Sequence, residues 1–261
     1  MDYGDAMRSA TSLPTWLHEF ELRRAQTVID VPGGAAVLNG DFPASYDHNK
    51  LSIVEPTPAS ELVAAADAVL GGAGHRHRLI ELRTPAAYDA LPDGLGPGYA
   101  RDEDVVMTLT GATPAPPAIA VERLSLDERS RSATQTWREE LPDAGSHVWQ
   151  QLGERIRTVV DAAQTTFFGV RDETGRVAAR GDLYIHAGVA QIEDVHAAPV
   201  ARRRGYATAI VLEAVSQART AGADLIFLVA DVDGPARRLY ERLGFTATHV
   251  IGSFAAQVET S

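Results

Sequence analysis

Arg202, Arg203, Arg204, Gly205, Tyr206 and Ala207 form a basic, glycine-bearing turn. It stands between a strand-like run, Ala190-Gln191-Ile192-Glu193-Asp194-Val195-His196-Ala197, and an amphipathic segment that reads as a helix over about 207–221. The opening N–H groups of a helix lack intrahelical partners, and the helix dipole adds partial positive charge there. Gly205 has no Cβ, so a ligand can approach its backbone closely. The chemistry this predicts is the holding of a phosphate or pyrophosphate. The acidic pair Glu193-Asp194, just upstream, adds groups that can move a proton.

Two familiar phosphate loops do not fit. A Walker loop needs Gly-Lys-Ser/Thr, and the only lysine, Lys50, lies far away in sequence. A dinucleotide fingerprint needs three spaced glycines, and this turn has one. What remains, Arg-x-x-Gly-x-Ala over 202–207, resembles the acyl-CoA-binding signature of the GNAT N-acetyltransferase superfamily. A second stretch, Asp233-Gly234-Pro235-Ala236-Arg237-Arg238-Leu239-Tyr240-Glu241-Arg242-Leu243-Gly244-Phe245, is similar to the family's Asn-x-x-Ala-x-x-Leu-Tyr-Glu-x-x-Gly-Phe landmark, with Asp233 in place of Asn. Its local chemistry agrees: Asp233 is a candidate cap, Pro235 suits a first turn, and Gly244 suits a helix end. The resemblance covers about 118–255.

That resemblance implies an α/β fold of the GNAT type, a mixed central sheet flanked by helices, with acetyl-CoA as co-substrate. It places the acyl donor along Val195, His196 and Ala197, with the Val195 N–H available to the thioester oxygen. Its pyrophosphate would lie on amides from Arg203 to Thr208. Arg202, Arg203, Arg204, Gly205, Tyr206, Ala207, Thr208 and Asp233 complete the expected cofactor set. Asp233 cannot donate a hydrogen bond as Asn would.

Acyl transfer to an amine needs a base for the amine and an acid for the departing thiolate. Glu193 is the first candidate base, directly or through a water. Asp194 points to the other face if the strand is regular, although a bulge would blur that parity. Each is also a candidate for a plain ion pair with an arginine. His196 is a further candidate base, and a lone strand histidine is more often structural. Tyr240 matches the family tyrosine placed near the sulfur as general acid; packing against Phe245 is its alternative role.

The elements that must position these groups are legible from periodicity. We read a strand over 118–123, helices over 126–141 and 148–163, and a hairpin of 165–171 with 177–186. A strand over 190–197 and the helix from 205 follow. Then come a strand over 225–229, a helix over 235–243, and strands over 246–251 and about 254–258. Pro114, Pro116 and Pro117 mark a linker over 113–117, dividing the chain into domains 1–112 and 118–261.

The first part reads as a partial, degenerate copy of the same fold. It has a helix around 17–29, a strand over 50–55, a helix over 59–70, a strand over 76–82, a short helix over 85–91 and a strand over 104–110. Pro56-Thr57-Pro58-Ala59-Ser60 stands where the arginine loop would be, so acyl-CoA is not expected there. This part would support a wall of the acceptor cleft or a homodimer interface. Any alternating α/β sequence shows some of this similarity. His75 and His77 have no further ligand near them in sequence and make a poor metal site, and no metal is expected. Trp137 and Trp149 flank a loop over 142–146, and would either line the acceptor pocket or anchor the helices.

Composition narrows the rest. The chain has 261 residues, 45% of them hydrophobic, and no cysteine, which excludes disulfides and a cysteinyl acyl-enzyme. No apolar run approaches the ~20 residues that span a bilayer, and the start lacks a signal pattern, so the expected location is the cytoplasm. A net charge of −11 argues against nucleic acid as partner. That charge would draw in a cationic amine, or simply serve solubility. Abundant Ala and Arg with one Lys suggest a bacterial, GC-rich source. The expected function is transfer of an acetyl group to a primary amine of a small molecule or peptide, in a ternary complex. Two rivals stay open on the sequence: a non-catalytic acyl-CoA-binding regulatory module, and an α/β nucleotide-binding protein.

Overall fold

The computed structural model describes residues 12–258. In chain order the elements are α1 (Leu13–Arg24), β1 (Thr27–Val31), β2 (Gly34–Leu38), β3 (Lys50–Ile53), α2 (Ala59–Ala66), β4 (His77–Leu82), α3 (Pro85–Asp89) and β5 (Ala100–Leu109). They continue with β6 (Glu122–Leu124), α4 (Leu126–Glu140), α5 (Ser146–Glu154), β7 (Gln164–Arg171), β8 (Val177–His186) and β9 (Val189–Ala197). The last are α6 (Tyr206–Thr220), β10 (Leu225–Asp231), α7 (Pro235–Arg242) and β11 (Phe245–Gln257).

These form two compact units. The first takes the chain up to Leu38, Asn49–Arg101 and the end from Gly252; the second takes Asn39–His48 and Asp102–Ile251. The expected division at 113–117 is therefore not where compactness divides the chain. The proline-rich segment has no helix or strand, as anticipated. However, β5 belongs to the second unit, where it pairs antiparallel with β10 from Asp104↔Asp231 to Thr108↔Phe227. The final strand is continuous, and its end, Gly252–Gln257, pairs antiparallel with β4 in the first unit.

In the first unit, β1 and β2 are a hairpin around Pro32-Gly33, with Gly33 at φ +77°. This replaces the expected helix past residue 24. Proline followed by a glycine at positive φ is a type II turn, and it outweighs the local apolar pattern. β3 and β4 are parallel, joined through α2, and bury Leu51, Ile53, Leu62, Leu70, Ile80 and Leu82.

In the second unit the strand order is β11-β5-β10-β9-β8-β7-β6. The β6 to β9 run is antiparallel, while β9 and β10 are parallel across α6. The core gathers Met107, Phe168, Ile192, Ile210, Val211 and Leu228. The helix α4 starts on a capping box: the Ser125 hydroxyl accepts from Glu128 N–H, and the Glu128 carboxylate accepts from Ser125 N–H. It lies against α5 at Gly153, where a Cβ would stand 2.0 Å from Thr134 Oγ1.

Candidate active site

The strands β9 and β10 pair from Val189↔Leu225 to Ile192↔Leu228 and then part. Beyond that point β10 continues on β5 through Val229, Ala230 and Asp231. The β10-facing side of 193–197 is left open. An extended ligand chain could add there as a strand would.

The opening is enforced by a bulge. Arg180 pairs with His196 and Asp182 with Glu193, so Gly181 alone faces the two residues Asp194 and Val195. Asp194 takes φ +46°, a left-handed conformation uncommon outside glycine. A Cβ at Gly181 would stand 2.6 Å from Ile210 Cγ2 on α6, so this position is closely packed beneath the bulge.

The bulge changes which side chains share a face. In a regular strand Asp194 would oppose Glu193; here both lie on the α4 side. Asp194 accepts from Arg129 of α4 and from Arg180 Nη2 at 3.4 Å. Arg129 also grips Asp182 twice, each at 2.7 Å, and the Tyr184 hydroxyl donates to Asp182 at 2.9 Å. Val195 turns instead to the apolar core under α6. His196 returns to the α4 side and lines a cleft of ≈ 330 Å³ with Thr136, Arg180 and Ala198. Burial and Arg180 hold His196 below its ordinary pKa.

Two adjacent carboxyls are thereby tuned in opposite directions. Burial, and next the charge of Asp194, push Glu193 up to about 7. Burial acts on Asp194 too, but Arg129, Arg180 and Arg155 together outweigh it and hold this carboxyl below its ordinary value. Burial opposes the Arg129 cation, yet Asp182 and Asp194 keep it charged. Glu193 is partly open to solvent and accepts from Gln191 Nε2 at 2.6 Å. A carboxylate titrating near neutrality suits a general base; its fixed, arginine-bound neighbour does not.

Tyr240 sits on α7 within the field of both carboxylates. Burial, followed by Glu193 and Asp194, pushes its phenol up to about 12, so it holds its proton at neutral pH. Its ring also packs edge-on to Phe245 at 6.2 Å, which is the packing role expected of it.

The α6 helix begins beside this opening. Gly205 is its N-cap at φ +83°, and no side chain caps the helix. The first bond inside it runs from Ala209 N–H to Gly205 O, so the amides of Tyr206, Ala207 and Thr208 come before the ladder. Arg203 also takes a left-handed φ of +63°, turning the chain into the helix. Arg202 Nε donates to Ala197 O at 3.3 Å, which ties the loop to the end of β9. Asp233 does not cap α7: the N-cap is Gly234 because Pro235 opens the helix, and the Asp233 N–H donates to Asp231 Oδ1 at 2.8 Å.

A segment remote in sequence closes one side of the second unit. Ala44 N–H donates to Gln151 at 2.9 Å, Arg155 donates to the Ser45 hydroxyl at 2.8 Å, and Asp47 adds to the upward shift of Glu193. Arg155 also lies 5.4 Å over the Trp137 ring. Trp149 donates to Leu141 O at 2.7 Å and so pins the loop between α4 and α5. His77, in the first unit, is a neutral donor to Asn49 O at 2.7 Å, with burial pushing it down to about 4. Among the described residues no cluster of three or more metal-ligating side chains occurs, and no helix is long and apolar enough to cross a membrane.

A strand pair that parts at a bulge, a helix that opens on uncapped amides and a carboxylate tuned toward neutrality thus follow one another along β9 and α6 of an α/β unit. The sequence model of the acetyltransferase (GNAT) family matches residues 126–245, and this segment is a domain of that family. Solved structures share the fold. A GCN5-related N-acetyltransferase from Kribbella flavida is 18% identical, with a TM-score of 0.64 over 96% of each chain. A functionally unknown protein from Staphylococcus epidermidis is 11% identical, with a TM-score of 0.63 over 88% of this chain and 96% of that one. A tandem GNAT protein from the clavulanic acid biosynthesis pathway is 15% identical, with a TM-score of 0.55 over 78% of this chain and 69% of that one. No curated protein matches the chain.

Proposed function

We propose that the second unit transfers an acetyl group from acetyl-CoA to a primary amine of a small molecule or peptide, directly and without an acyl-enzyme. The observation that carries this reading is the alignment of the β9–β10 opening with the uncapped start of α6. The amides of 203–208 would hold the pyrophosphate, aided by the charge of Arg202 and Arg204. The pantetheine would lie along 195–197, with the Val195 N–H toward the thioester oxygen.

Glu193 takes a proton from the amine as nitrogen attacks. The new N–C bond forms, the C–S bond breaks with its electron pair leaving on sulfur, and Tyr240 supplies a proton to that sulfur. The pKa order supports these assignments: a base near 7 and an acid still protonated at neutral pH. The chain has no cysteine to carry the acyl group.

The test is release of free thiol from acetyl-CoA in the presence of amino acids, polyamines, aminoglycosides and peptides, with mass spectrometry of the products. Acetylated amine above the enzyme-free rate is the expected result. Acetyl-CoA binding without transfer to any of these would favour a regulatory module instead.

A further inference from the structure

Gln191 lies two residues before Glu193 on β9, so the two side chains leave the strand on one face. It is 5% exposed, and it faces Tyr184 on β8 and Phe227 on β10. Its Nε2 donates to Glu193 Oε2 at 2.6 Å. In the ionised form that a base must have before it takes a proton, Glu193 only accepts, so the amide nitrogen then faces Glu193 and the oxygen faces away. That oxygen, Oε1, is buried without a hydrogen-bond partner. Buried acceptors are nearly always paired, and an orphan beside a catalytic base calls for a donor that arrives later.

We propose that Gln191 Oε1 receives an N–H of the incoming amine and thereby selects primary over secondary amines. The proposal rests on the reading of Glu193 as base. A neutral primary amine has two N–H donors and one lone pair. One N–H goes to Glu193, the second to Gln191, and the lone pair is left for the thioester carbon. As the N–C bond forms and the C–S bond breaks, Glu193 keeps the first proton. The second remains on nitrogen as the N–H of the product amide, still donated to Gln191. A secondary amine spends its single N–H on Glu193 and leaves Gln191 Oε1 unpaired.

The experiment uses the full chain, acetyl-CoA, and two small nucleophiles that differ by one methyl group and carry no other donor, methylamine and dimethylamine. Thiol release is read above the enzyme-free rate, and the ratio of the two rates is normalised to the enzyme-free ratio. Wild type should prefer methylamine by about tenfold, the discrimination expected when a buried acceptor is left unpaired. Gln191→Leu and the more nearly isosteric Gln191→Met should bring the ratio close to one. Both variants also lose the contact to Glu193, which lowers the two rates together and cancels in the ratio. Folding is checked by the heat stabilisation that acetyl-CoA confers. An unchanged ratio in either folded variant overturns the proposal, as does a wild type with no preference. Transfer to neither nucleophile would contradict the acetyltransferase reading itself.

Discussion

Glu193 and Asp194 are chemically similar neighbours with opposite duties, and the difference comes from their partners. Asp194 is surrounded by three guanidinium groups, whereas Glu193 has the Gln191 amide, the Asp194 N–H and several negative neighbours. Glu193→Gln should lower turnover by about 10²–10⁴-fold, the usual worth of a placed proton acceptor. The loss should shrink at high pH, where the amine is already deprotonated. In wild type the acid limb of kcat/KM should fall near pH 7, read from a pH–rate profile.

The same shift has a stability consequence. Folded Glu193 binds its proton more tightly than the unfolded chain does, so wild-type stability falls as pH rises from about 4.5 to about 7. The glutamine variant should therefore melt higher than wild type at pH 8, by as much as about 3 kcal/mol in stability. A lower melting point there would show that Glu193 is not strained by burial. Tyr240→Phe keeps the ring against Phe245 and should reduce turnover while leaving acetyl-CoA affinity near wild type. Equal turnover would remove Tyr240 from the chemistry.

At the level of elements, the site depends on how closely α4, α5 and β8 pack. Gly153→Ala brings a Cβ to 2.0 Å from Thr134 Oγ1 and 2.9 Å from Ser130 O, and that carbonyl is backbone and cannot swing away. Helix propensity would favour alanine by about 1 kcal/mol. Overpacking of about 1–3 kcal/mol works against it. The expected net is a lower Tm in thermal unfolding; a rise would mean the two helices separate freely.

Elements of this kind were largely legible in the sequence. The β8 strand occupies the expected 177–186, and α6 is displaced by one residue, because alternation and 3.6-residue periodicity are local signals. The bulge was anticipated as a break in strand parity, but its position was not legible, since no glycine or asparagine marks Asp194 as the left-handed residue; the local hint was Gly181 across the ladder. The Arg129–Asp182–Asp194 cluster was missed for a related reason. The buried face of α4 is Arg129, Ala133 and Thr136, polar at helical spacing, and reads as surface until its partners are in place. Gln191 carried no motif; its role emerges only from the orphaned oxygen.

At the scale of the whole molecule, local periodicity could not say which strands belong together. β5 and the end of β11 each join a unit other than the one their sequence position suggests, because long-range pairing is written in tertiary burial rather than in nearby residues. The β3–α2–β4 and β9–α6–β10 segments each join two parallel strands through a helix. Their helix starts differ, however. The α2 helix opens on Pro58 with no arginine beside it, while α6 opens on Gly205 behind three. Under the proposed function, that difference predicts one acyl-CoA site per chain.

Calorimetric titration of acetyl-CoA into wild type and Gly205→Val tests this most directly. The φ of +83° is unfavourable for valine, whose Cβ would also stand 3.2 Å from Ile119 Cδ1, so the turn that opens α6 would have to shift. The account predicts a stoichiometry of one in wild type and loss of that site in the folded variant. Two equivalent sites, or undiminished binding in Gly205→Val, would contradict it.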